Sequence, residues 1–249
     1  MARRRGRRRG RTGSRTMWAL AVAAGAVWGS AFLIPDRPAP SPPTTVPVVA
    51  PSPLAPQAQG PLPVFASSDG VRLRLVSGRA LAIAFHEASY RDATELRPWG
   101  ECVVCRNRTK FTPTPPRGDL SYLVTDTRGR RTPATSAADI VLPRGQSVMA
   151  PVSGRVTAVK HYRLYFRYPD VRVEIRPASV PERRVVLIHL AGVRLAKGDA
   201  VEASVTKIGT VRRFPFESQV DRYVGGRHPH VHMEVKNPAR APATRHQKK

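Results

Sequence analysis

The sequence predicts a mainly β protein organised around an antiparallel β-sheet. Three observations carry that prediction. Short runs of alternating apolar and polar residues recur from residue 64 onward, as in Val71-Arg72-Leu73-Arg74-Leu75-Val76. Glycine-bearing turns separate them, at Gly145, Gly154 and Gly198. No stretch of this region repeats its apolar residues at helical spacing over several turns.

In chain order, Val71–Val76 reads as a half-buried strand and Leu81–Phe85 as a second. His86–Leu96 is expected to form one short helix. Thr109–Gly118, with Pro113, Pro115 and Pro116, is a loop, because proline lacks the N–H that a ladder needs. Ser121–Asp126 is another strand. Ile140–Pro151 reads as strand, turn, strand, and Val152–Val159 turns again at Gly154. Val171–Ile175 and Val185–Leu190 are strands. Lys197-Gly198-Asp199 is a turn leading towards Ile208-Gly209. Residues 64–132 are expected to be a small β-rich unit ahead of a main domain over 133–236.

The flanks have a different character. The chain has 249 residues and a formal charge of +25. Residues 1–16 are dominated by arginine, including Arg3-Arg4-Arg5 and Arg7-Arg8-Arg9. Residues 17–34, Met17 to Ile34, are uncharged and apolar, long enough to cross a bilayer as a helix. The basic flank before this run places the N-terminus in the cytoplasm and the rest outside. A cleaved signal peptide fits the same pattern, giving a secreted protein. The apolar run is longer than most signal-peptide cores, which favours a single-pass membrane anchor. Residues 35–63 form a proline-rich linker, as in Pro38-Ala39-Pro40-Ser41-Pro42-Pro43, extended and without ladders. Residues 237–249 are a basic tail expected to be disordered.

Twelve basic residues and no acid lie in 1–16 and 237–249, which leaves about +13 on the remainder. A basic exported domain points to anionic partners such as wall polymers; the export pattern argues against nucleic acid. Cys102 and Cys105 suit a local disulfide in an oxidising compartment or two free thiols. A second CxxC, which a zinc knuckle requires, is absent. Tyr162, Tyr165, Phe166 and Tyr168 form an aromatic, basic stretch suited to stacking or to packing a sheet edge.

The chemistry concentrates in Gly226-Arg227-His228-Pro229-His230-Val231-His232-Met233-Glu234-Val235. Residues two apart on a strand share a face, so His230 and His232 project together, and imidazole is a leading zinc ligand. Two histidines do not close a site; carboxylate or further histidine partners must come from elsewhere. A histidine pair of this kind also occurs as a hydrogen-bonded surface feature.

Ala134 to Lys236 resembles the lysostaphin-type (LytM-like) zinc metalloendopeptidases, which cut peptidoglycan. The resemblance rests on Asp139 ahead of Gly145-x-x-Val148-x-Ala150-Pro151-x-x-Gly154-x-Val156, on His189-Leu190, on Lys197-Gly198-Asp199-x-Val201, and on the His230-Val231-His232 element. It implies an antiparallel lysostaphin-like domain, a zinc cofactor and peptidoglycan or an anionic wall polymer as partner. It implies Asp139 and His232 as metal ligands, with His189 and His230 as catalytic groups that handle protons and stabilise the oxyanion. One position departs: Thr135 stands where the family keeps its first metal histidine, four residues before Asp139. His86 and His228 are the replacement candidates; Pro229 weakens the case that His228 shares the strand face. The vacancy leaves a second reading, a degenerate domain that binds wall polymer or regulates another hydrolase. The glycine turns also resemble biotinyl and lipoyl carrier domains. Those need an exposed hairpin lysine not evident here, and they leave His189, His230 and His232 unexplained.

Overall fold

The computed structural model describes residues 60–240. The basic segment 1–16, the apolar run 17–34, most of the linker and residues 241–249 lie outside the described residues. Among the described residues no helix is long and apolar enough to cross a membrane.

Among the described residues the strands are β1 (Val64–Ser68), β2 (Val71–Arg74), β3 (Ala82–His86), β4 (Arg97–Pro98), β5 (Glu101–Cys105), β6 (Ser121–Val124), β7 (Ala137–Val141), β8 (Ser147–Met149), β9 (Gly154–Leu164), β10 (Tyr168–Pro177), β11 (Arg184–Ala191), β12 (Ala200–Val201), β13 (Lys207–Val211) and β14 (His230–Lys236). One helical turn, α1 (Asp221–Val224), precedes β14, and Pro238–Arg240 is a 3-10 turn at the start of the expected tail. A three-stranded sheet runs β2-β1-β4. The larger sheet runs β12-β9-β10-β11-β14-β7-β3-β6-β5, with β13 bridging β11 to β8.

The larger sheet is mixed rather than purely antiparallel, because β6 runs parallel to both β3 and β5. The proline-bearing loop 106–120 explains this. A tight hairpin would return the chain antiparallel, whereas a long crossover carries it back to the starting end. Strands β3, β5 and β6, from the expected small unit, continue the same sheet that holds β7 and β14.

The helix expected over His86–Leu96 does not form. His86 ends β3, and the residues after it spend their backbone groups on neighbours instead. Ala88 N–H donates to Ser136 Oγ at 2.8 Å, Thr94 N–H to Val235 O at 2.8 Å, and Ala93 bridges to Lys236. These bonds to β14 and to Ser136, just before β7, replace the intrahelical ones.

Alternation along the central strands sorts the sheet into a face on the main core and an opposite face that carries the polar residues beside a smaller apolar cluster, in which Ala84, Leu123 and Val141 meet Val220, Tyr223 and Val224. Ile83 and Phe85 on β3, Ala138 and Ile140 on β7, Val231, Met233 and Val235 on β14, and Val185 and Leu187 on β11 all enter the main core. Phe65, Leu73 and Leu75, on or next to the small sheet, pack on this core. Phe85 meets Tyr122 edge-on at 5.3 Å between ring centres. The intervening residues, Asp139, His230, His232 and Glu234, must then lie on the opposite face. Two glycines hold the frame close: a Cβ on Gly154 would lie 2.1 Å from Arg176 O, and one on Gly209 2.7 Å from Ala191 O.

Cys102 and Cys105 are joined in a disulfide within β5.

Candidate metal centre

Strand register builds the site. On β14 and β7, His232 faces Asp139 and His230 faces Val141. On β7 and β3, Ala84 faces Asp139 and His86 faces Ala137. Ala84 is too small to fill the space beside Asp139. His86, one pleat further along the same face, reaches across instead.

One carboxylate oxygen is the focus. Asp139 Oδ1 lies 3.0 Å from His86 Nε2 and 2.9 Å from His232 Nδ1. The donor atoms of His86, Asp139 and His232 all lie within 4.8 Å of one another, the arrangement of a possible metal site. Asp139 is 4 % exposed and His86 is 1 % exposed. Arg128 Nη2 and His230 Nε2 stand further off, at 3.9 and 3.8 Å from Asp139 Oδ2.

Protonation follows from the partners. Both nitrogens of His232 face carboxylates, Asp139 Oδ1 at 2.9 Å and Glu234 Oε1 at 3.0 Å. Burial works against a charge there, but these two bonds outweigh it and hold the His232 pKa up at about 9. Glu234 is likewise buried, yet its bond to His232 takes its carboxyl down to about 2. Burial would raise Asp139, and the surrounding imidazoles instead hold it well below the usual carboxylate range. His86 is different. Its Nδ1 donates to Glu87 O at 2.9 Å, and burial lowers its pKa. The neutral ring then turns an unprotonated Nε2 towards Asp139 Oδ1, and this nitrogen has no hydrogen-bond partner.

That orphaned atom is the test of fit for a metal. A lone pair set against a carboxylate oxygen in a dry site is unfavourable, and a cation between them reverses the sign. Two imidazoles and a carboxylate form a common zinc donor set. The outer contacts suit it as well, since metal-binding histidines usually give their other nitrogen to a carbonyl or a carboxylate. Glu87 O does this for His86 and Glu234 for His232. The residues present fit the ion.

The remaining predicted residues fall around this cluster. His230 is 4 % exposed, its Nδ1 lacks a partner, and burial lowers its pKa to about 4. Its ring stacks on Phe214 with centres 4.8 Å apart. His189 lies 5.3 Å from His230 between ring centres, with its Nδ1 donating to Asp170 Oδ2 at 2.7 Å. It takes a left-handed backbone, φ 70°, a conformation that costs energy for a residue with a side chain. His228 is not part of the cluster: its Nε2 bonds to Gly225 O at 3.2 Å, beyond Pro229. Thr135 is buried and its Oγ1 has no partner, but it supplies no atom to the cluster.

Three residues of the site, Asp170, Glu87 and Arg128, lay beyond the sequence reading. Asp170 orients His189, and Tyr162 O–H donates to the same Asp170 oxygen at 2.9 Å. Asp170 sits on β10, the strand paired with that of His189, so correct strand pairing would have flagged it. Glu87 is wholly buried and accepts from Asn107, Lys110, Thr127 and the backbone of Arg128 and Arg130. Burial opposes its charge, yet these donors hold its pKa at about 2. It thereby ties down the loop that sets Arg128 beside Asp139. A cleft of about 290 Å³ opens over the cluster, bounded by Arg128, Arg130, Tyr165, Phe214, Phe216 and Gln219.

No family model and no curated protein matches the sequence. Among solved structures, the chain is similar to the solution structure of lysostaphin at 19 % identity and TM-score 0.30, covering 40 % of this chain and 35 % of that one. A zinc-containing peptidase from Vibrio cholerae is 21 % identical with TM-score 0.30, over 44 % of this chain and 28 % of that one. The catalytic domain of a point mutant of the prophage-encoded protein EnpA from Enterococcus faecalis is 17 % identical with TM-score 0.31, over 63 % and 85 %. The chain thus spans about a third of the length of the first two. Likeness at these TM-scores carries no argument about this protein; the strand register and the side-chain geometry do.

Proposed function

We propose that this protein is a zinc-dependent endopeptidase acting on peptidoglycan, with His86, Asp139 and His232 as the metal ligands. The observation that carries this reading is the convergence of those three donor atoms within 4.8 Å of one another. The motif resemblance around Asp139, His189, His230 and His232 supports the substrate class. His86, from β3, takes the place that Thr135 leaves empty in the sequence motif.

A zinc ion there supplies Lewis acidity for a peptide carbonyl and makes water a competent nucleophile near neutral pH. The chain's own groups then have distinct work. His230, buried beside the cluster with its Nδ1 unpartnered and its Nε2 3.8 Å from Asp139 Oδ2, is the ring placed to handle a proton there. His189, fixed through Nδ1 by Asp170, presents its other nitrogen to developing negative charge. Arg128 lines the same cleft and brings positive charge to it.

The second reading is a wall-binding or regulatory domain without metal. Arg128, 3.9 Å from Asp139 Oδ2, favours it, because a guanidinium opposes a dication nearby. Metal analysis of the full chain purified without chelator separates the two. The peptidase reading expects one zinc per chain, lost in His232→Ala and largely kept in His230→Ala, whose muropeptide cleavage disappears. Equal loss of zinc in both variants contradicts the assigned roles.

Export and membrane anchoring belong to the same proposal and rest on residues 1–63 of the sequence alone. A reporter fused after Lys249 should work only outside the cytoplasm; activity inside overturns the location and the wall substrate together.

A further inference from the structure

Beside the metal cleft lies a second groove of about 470 Å³, lined by Arg144, Arg212, Arg213, Arg227, His228 and the aromatic pair Phe214 and Phe216. The same two phenylalanines line the metal cleft, so the two spaces share a wall. Phe214 also stacks on His230, and Arg212 N–H donates to His189 O at 2.9 Å. The groove is therefore fixed in place relative to the proton-handling histidines.

Its charge is unbalanced. The only acid lining it is Asp221, and both of that carboxylate's oxygens are already used. Oδ2 accepts from Ser218 N–H at 2.7 Å and Ser218 O–H at 2.8 Å, and Oδ1 from His228 N–H at 2.9 Å. Among the described residues, Arg144, Arg213 and Arg227 pair with no carboxylate, and the nearest for Arg212 is Asp170 Oδ2 at 3.9 Å. Arg212 Nη1 is buried without a hydrogen-bond partner. Guanidinium forks match carboxylates with two parallel bonds, and Arg144, Arg213 and Arg227 are exposed and open to such a partner.

We infer that this groove binds a carboxylate-bearing segment of the peptide whose scissile bond lies over the metal cluster. The enzyme would then prefer wall peptides with free acidic side chains over amidated ones. This specificity rests on the peptidase reading above, but its binding arm does not need the metal. A peptide is favoured over a phosphate polymer because Phe214, Pro215 and Phe216 offer apolar contact between the charges.

The test is fluorescence-anisotropy binding to chelator-treated full-length protein. The probes are a labelled, C-terminally amidated peptide Glu-Ala-Glu-Ala, its Gln-Ala-Gln-Ala counterpart, and a labelled polyphosphate. The acidic peptide should bind about tenfold more tightly than the glutamine peptide at low salt. That preference should vanish in Arg213→Ala/Arg227→Ala and persist in Arg194→Ala/Lys197→Ala, which removes exposed charges outside the groove. All four are exposed residues, and circular dichroism is the check that each double variant is folded. Equal binding of the two peptides overturns the inference, as does a preference that survives the groove substitutions. Polyphosphate bound through Arg213 and Arg227 with no acidic-peptide preference assigns the groove to a phosphate polymer and also overturns it. Zinc content measured on untreated protein tells a failed peptidase reading apart from a failed groove.

Discussion

Replacing His86 with alanine gives the sharpest test of the metal centre. The substitution leaves Asp139 Oδ1 and His232 Nδ1 but removes the third donor, 3.0 Å from Asp139. Losing an outer-shell partner already costs roughly 10–100-fold in metal affinity, so losing a ligand should cost at least about 100-fold. With free zinc at about 100 times the wild-type Kd, the ion stabilises the wild type by about 2.7 kcal/mol. A 100-fold weaker site keeps only about 0.4 kcal/mol under the same conditions. For a domain of this size, each kcal/mol moves Tm by about 2–4 °C. The zinc-dependent rise should therefore be about 5–11 °C in the wild type and about 1 °C in His86→Ala. The variant also loses buried volume and the bond to Glu87 O, about 2–3 kcal/mol in any state. Reading the difference between zinc and chelator, by scanning calorimetry, cancels that loss. Thr135→His should add nothing, since the third position is already filled. An unchanged zinc increment in His86→Ala refutes the reasoning. A wild type that gains metal only through Thr135→His refutes it in another way, by showing that His86 is not a replacement ligand.

Other outcomes follow from the same contacts. In metal-free protein, His232 has a folded pKa of about 9 against an ordinary 6.5. Its charge therefore contributes stability that is fully present below about pH 6.5 and is lost as pH rises through about 9, up to about 3 kcal/mol. Urea melts in chelator between pH 6 and 10 check this, and stability that holds level or rises over that window contradicts it. Glu87→Ala should cost about 3–5 kcal/mol, because Lys110, Asn107 and two backbone N–H groups lose a buried anion. Limited proteolysis of residues 127–130 should quicken in the same variant; unaltered cleavage there means that the loop is held by something else. Asp170→Asn should lower kcat and move its pH profile while leaving zinc bound, because it acts through His189. Zinc loss in that variant would place Asp170 in the metal centre itself.

Much of this arrangement was legible in the sequence. Period-two alternation announced β7, β10, β11 and β14, and it placed His230 and His232 on one face opposite Val231 and Met233. Asp139 was legible through the motif resemblance rather than through alternation, since the expected strand began at Ile140 whereas β7 runs Ala137–Val141. Local chemistry failed where long-range pairing overrode it. His86–Leu96 carried no turn signal strong enough to exclude a helix, and only its bonds to Val235 and Ser136 decided the matter. The parallel placement of β6 came from a crossover that no strand by itself reveals.

Ligand identity divides along the same line. The sequence by itself determined which residue types were available and which strand faces they occupy. It left His86 and His228 both as candidates, with Pro229 counting against His228, since spacing says nothing about contact across a sheet. Tertiary structure chose between them. The register of β3 on β7 carries His86 to Asp139, while Pro229 and the turn after α1 direct His228 to the neighbouring groove. Asp170 and Glu87 became partners of the site for the same reason. A hydrogen bond or a metal bond needs atoms within about 3 Å, and only the folded register sets such distances between residues far apart in the chain.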